Sequence, residues 1–182
     1  FKEWAAVCEA LAAGRQTIIL RKGGIHEGPG GFTPEHSAFW LYPTNFHQAG
    51  QSLTSDAPDF VSRALAGQHK SGAVAIHHLA LVQQVYELAT IDAALRLAGQ
   101  HIWSEETIGQ RFHYRRPGLY LLLVRISSSA KISLVEESAE MAGCKSWVDL
   151  RNKLPTAGLS PAIEDAKFDA LAADVRMRLK DA

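Results

Sequence analysis

The sequence predicts an α+β fold, one domain in which short strands and amphipathic helices share a core. Three observations support this. Apolar residues recur at helical spacing near both ends, as Trp4, Val7, Cys8 and Leu11 and again as Phe168, Leu171, Val175 and Leu179. Short β-branched or leucine-rich runs, Thr17 to Leu20 and Leu119 to Ile126, have the length of strands. A chain of 182 residues with 47% apolar content suffices for one sizeable core and is too short for two.

The elements follow in order. The first helix runs over about three turns and stops at Gly14, where a left-handed residue ends it cheaply. Thr17 to Leu20 is a buried strand that ends at Arg21. Six residues between Lys22 and Gly31 are Gly or Pro, a density that only a loop tolerates. Ser37 to Tyr42 is a second strand carrying Trp40 and Tyr42 on one face, ended by Pro43. Pro58 opens a helix through Ala66, and Gly72 to Leu88 is mostly strand. Within that strand His77 and His78 are expected on opposite faces. Ile91 to Leu97 is a short helix. Ser104 caps another through Phe112, with Glu105 and Glu106 where the helix dipole favours acids. After the strand at Leu119 come a further strand near Ile132 and a short helix from Cys144 to Leu150. Ser160 as N-cap and Pro161 at the first helical position open a last helix. We divide the chain into a domain over 1–152 and a linker plus amphipathic helix over 153–182. The apolar stripe of that helix needs a partner surface, in the same domain or in a second copy as a homodimer.

Charge and cysteine usage exclude several classes. Lysine plus arginine number 19 and aspartate plus glutamate 19, so no global field gathers a polyanion or a membrane surface, and a charged partner must meet a local patch. The two cysteines have no CxxC or zinc-finger spacing. The longest apolar runs fall far short of the roughly 20 residues of a membrane span. Phe1 leads straight into a helical pattern, so no signal peptide is expected, and the cytoplasm is the expected location.

The densest site-like stretch is Arg21 to Gln48. Arg21 and Lys22 precede Gly23 and Gly24, which sets two cations beside exposed backbone N–H groups, an arrangement that holds phosphate or simply ends a strand. Trp40, Tyr42, Thr44, Phe46, His47 and Gln48 alternate rings with hydrogen-bonding groups, suited to stacking on a base and bonding its edge, or to a half-buried strand. Arg111, Phe112, His113, Tyr114, Arg115 and Arg116 form a basic and aromatic cluster, and no acidic residue occurs between Glu106 and Glu136. That stripe suits a phosphodiester backbone or is a solvated surface. His26, Glu27, His36 and His47 supply the side-chain types of general acid-base work. Their spacing matches no HExxH or facial-triad pattern, so no metal or other cofactor is expected. A magnesium-nuclease pattern fails as well: Asp165, Ala166 and Lys167 fall in the last helix rather than on a strand.

The succession LRKGGI at 20–25, FWLYPTNFHQ at 39–48, LLLVRI at 121–126 and GCKSWVDL at 143–150 resembles an uncharacterised bacterial family, domain of unknown function number 1802. The resemblance covers nearly 1–152 and implies no established activity. Its association with endonuclease-type domains implies a restriction-modification or defence setting. More distantly, GRQTIILR at 14–21 is similar to the opening of the ASCH group of PUA-like domains, where GxKxxExR lines a cleft associated with RNA. That likeness implies a small mixed β-barrel with peripheral helices and a C-terminal helix. Gly14 and Arg21 match the pattern, whereas Gln16 and Ile19 stand at its lysine and glutamate positions.

Three functions are therefore expected in competition. The first is an RNA- or DNA-binding module using Arg21, Lys22, Trp40, Tyr42, His47, Gln48, Arg111, Arg115 and Arg116. The second is a phosphodiesterase using His26, Glu27, His36 and His47. The third is a non-catalytic interaction module docking through the C-terminal stripe.

Overall fold

The computed structural model describes residues 1–22, 36–45, 52–67, 72–143 and 145–180. Twelve elements follow one another: β1 (Lys2–Trp4), α1 (Ala5–Ala12), β2 (Ile18–Arg21), β3 (Ala38–Trp40), β4 (Tyr42–Thr44), α2 (Pro58–Ala66), β5 (Ala73–Leu88), α3 (Ile91–Leu95), α4 (Glu105–His113), β6 (Leu119–Glu136), β7 (Leu159–Pro161) and α5 (Asp165–Lys180). The α+β expectation holds.

The long antiparallel pair β5 and β6 is the frame. Ala73 faces Glu136 at one end and Leu88 faces Leu119 at the other. Two register breaks interrupt the ladder, after Ile76 and after Val82. The first sets the His77 and His78 rings 3.8 Å apart rather than on opposite faces, because a bulge breaks the alternation of side chains. β2 pairs the start of β6, β7 pairs its middle and β3 pairs β5, giving the order β2-β6-β5-β3. Among the described residues β2 and β3, the two ends of that order, do not pair, so the sheet stays open where the resemblance implied a closed barrel. The aromatic strand expected over 37–42 is broken at Leu41: β3 stays in the main sheet while β4 turns away to pair in parallel with β1. Pro43 lies inside β4 rather than ending a strand, which a two-stranded sheet permits since the missing N–H can face away from the ladder. The strand expected near Ile132 is the continuation of β6.

Helix ends follow local chemistry. Thr90 and Ser104 accept hydrogen bonds from Ala93 and Thr107 at the starts of α3 and α4. Pro58 stands in the first turn of α2. The last helix starts at Asp165, later than Ser160 and Pro161 suggested. Those two residues belong to β7, where pairing with Ser127 and Ser128 of β6 outweighs their capping propensity. Lys145 to Leu150 is irregular rather than helical.

Beside a smaller cluster of Tyr42, Ile76 and Met141, the larger apolar core joins α1, β2, the first half of β6, α4 and α5. Leu121 to Val124 are fully covered. Phe168, Ala172 and Val175 of α5 pack into this same core, so most of the C-terminal stripe is covered by the chain's own residues. Arg125 reinforces the contact with an ion pair to Asp165 and a guanidinium 5.0 Å from the Phe168 ring. Gln100 bonds Asp174 at 2.7 Å farther along the helix. Among the described residues no helix is long and apolar enough to cross a membrane.

Candidate functional site

The break at Leu41 matters for chemistry, since it splays β3 from β4 and leaves a cavity of about 630 Å³ between them and the segment 147–153. Its apolar walls carry Phe1, Phe39, Trp40, Tyr42 and Trp147. Three of these rings meet at one wall: Phe1 lies 4.7 Å from Phe39 and 4.8 Å from Trp147, and Phe39 lies 5.2 Å from Trp147. Such tilted and edge-on contacts lock the rings against one another, which is the preorganisation a flat ligand requires. His36 meets Trp147 edge-on at 5.3 Å and stands at the rim. Asp149 and Lys153 complete the lining; both are exposed, and among the described residues neither has a hydrogen-bond or ion-pair partner.

Cations lead away from this cavity. Arg21, at the end of β2, donates to Ser146 Oγ at 2.6 Å and to the Lys2 carbonyl at 3.3 Å, and stands 3.6 Å from the buried Glu3 carboxylate. Its guanidinium lies 4.7 Å from the Phe1 ring, so Phe1 is shared between cavity and cation. Lys22 donates to the carbonyls of Phe112, Arg116 and Gly118, which ties β2 to the turn after α4. Burial, and then the Arg116 charge, hold the Lys22 ammonium below its ordinary pKa. Arg115 and Arg116 are exposed on that turn beside Tyr114, and Arg115 adopts a left-handed φ of 62°. Arg111 is different in kind. It donates to the Leu20 carbonyl inside the protein, and burial lowers its pKa to about 10, with Glu3 opposing.

Family membership follows from the match of one family model over residues 1–174, described as a domain of unknown function. The chain belongs to the DUF1802 family. No curated protein matches it. Among solved structures, the ASCH protein of Zymomonas mobilis aligns at 13% identity with a TM-score of 0.43, covering 95% of this chain and 92% of that one. Two single-residue mutants of that protein align at 11% and 12% identity with the same TM-score.

Within this DUF1802 chain the structure brings together Arg21, His36, Trp40 and Tyr42 around the cavity. Tyr42 is covered, and its hydroxyl donates to Glu137 at 2.8 Å, so it offers a wall rather than a free ring. Lys22 has its ammonium engaged internally, and Arg111 is a core cation, so the outward charge on this side comes from Arg115 and Arg116. His26, Glu27, His47 and Gln48 lie outside the described residues. Among the described residues no three His, Cys, Asp or Glu side chains gather as a metal site would need. Gln16, at the lysine position of the ASCH-type pattern, is buried and bridges the Ile18 carbonyl and the Ile102 amide, while Ile19 is core. Both are structural in this chain. Sequence reading missed Phe1, Trp147, Asp149 and Lys153 as site residues. The one usable signal in the sequence is the motif GCKSWVDL, which carries Trp147 and Asp149.

Proposed function

We propose that this protein is a nucleic-acid-binding module for single-stranded RNA or DNA. One base enters the aromatic cavity, and the backbone runs past Arg21 toward Arg115 and Arg116. The observation that carries this reading is the sharing of Phe1: its ring lines the cavity and also lies 4.7 Å from the Arg21 guanidinium, which sets a stacking surface beside a partly exposed cation. Rings accept any base face and basic side chains accept any phosphate, so the combination suits a single strand rather than a duplex. The open sheet and the neutral overall charge fit a short local footprint rather than a long electrostatic track.

The test is fluorescence anisotropy with labelled 12-nucleotide RNA, DNA and duplex probes at 50 and 200 mM salt. Binding of single strands that weakens with salt is expected, and Trp147→Leu should lower it about tenfold, the order of one lost stacking contact. A folded protein that binds no single strand at 50 mM salt would remove this reading.

A further inference from the structure

We infer that the cavity selects guanine, an inference that rests on the nucleic-acid reading and names its preferred base. The charged side chains of the lining are Asp149 and Lys153, and among the described residues neither has a hydrogen-bond or ion-pair partner. A carboxylate only accepts, and it accepts best through both oxygens from two adjacent donors. Guanine alone among the common bases presents two adjacent donors on one edge, N1–H and the 2-amino group. Beside them stands O6, an acceptor that an ammonium can satisfy. Adenine and cytosine set a ring-nitrogen lone pair next to their single amino group, so a carboxylate bonded there faces an acceptor. Uracil offers one N–H flanked by two carbonyls. With the base held against the aromatic lining, Asp149 takes the two donors and Lys153 approaches O6.

The arrangement also explains a mixed pair of charges at the mouth of an apolar cavity. An isolated carboxylate there would repel the phosphate that follows the base, whereas a carboxylate engaged by two donors and flanked by a lysine does not.

The experiment uses the full chain and four labelled 12-nucleotide strands that share one backbone sequence and carry a single central G, inosine, A or C. Inosine keeps N1–H and O6 and lacks the 2-amino group. We expect G to bind at least tenfold tighter than A or C, inosine to fall between, and Asp149→Asn to level the G to A ratio. Asp149 is exposed and unpartnered, so the variant folds, and circular dichroism verifies it. Equal binding of all four strands would overturn the guanine inference and leave the general binding reading standing. A G preference that survives Asp149→Asn would overturn the assigned role of Asp149. Absence of binding to every strand would overturn both readings together.

Discussion

The Arg111 guanidinium sits in the corner formed by two indoles, 4.4 Å from the Trp4 ring and 5.0 Å from the Trp103 ring. A cation so placed exchanges water for ring faces and for the nearby Glu3 carboxylate. Arg111→Met keeps the bulk and removes one of the two cations, with Arg21, that balance the buried Glu3. We expect a loss of about 3 kcal/mol, read as a lower urea midpoint with unchanged slope. A midpoint equal to wild type would mean that Glu3 does not depend on Arg111.

Gly14 carries φ +65°, and a Cβ added there would lie 2.1 Å from Ile163 Cγ2. Gly14→Ala therefore combines left-handed strain with overlap, together about 2–4 kcal/mol. In an Ile163→Ala background, which removes the overlapping methyl, Gly14→Ala should lower the melting temperature by less than it does in the wild-type chain.

His78 and His101 are buried, and burial lowers both pKa values from 6.5 to about 4. Above pH 6.5 both are neutral folded or unfolded, and their neutrality costs nothing. As pH falls toward 4 the unfolded chain takes up protons that the folded one refuses, so stability drops with pH, by up to about 3 kcal/mol for each histidine. Urea midpoints measured from pH 7 to 4 should fall through that window, and less so in His101→Phe. A flat profile between pH 6.5 and 4.5 would contradict the burial of both rings.

Lys22 and Arg115 separate architecture from binding. Lys22→Met removes three charge-assisted bonds to the turn after α4 and should lower the melting temperature. Arg115→Ala, on an exposed side chain, should leave stability near wild type. It should reduce the salt slope of single-strand binding by about one phosphate contact. Interchanged outcomes would place the phosphate contact on Lys22.

Much of the fold was legible because its signals are local. Gly14, Pro58 and Ser104 mark helix ends where backbone chemistry demands them, and Leu121 to Val124 is apolar on both faces because the structure covers both. What escaped is decided by distant pairing. Ser160 and Pro161 make a good helix start in isolation, yet β6 supplies a ladder for them. Leu41 separates two strands only because β1 stands ready to pair with Tyr42 to Thr44. The site was half legible for the same reason: Trp40 announces a ring, but nothing near it in sequence announces that Trp147 and Asp149 line the same cavity.

The central pair also governs how the chain reaches its native state. Ala73 must find Glu136 and Leu88 must find Leu119 with α3 and α4 lying between, so the frame of the sheet closes only after a long loop has been drawn in. Local helices form within microseconds, whereas pairing of this kind places folding in the millisecond-to-second range. Until it closes, β2 and β7 have no template, and the chain emerging from synthesis can offer Leu79 to Leu81 only the short β3 until residues beyond 119 have followed.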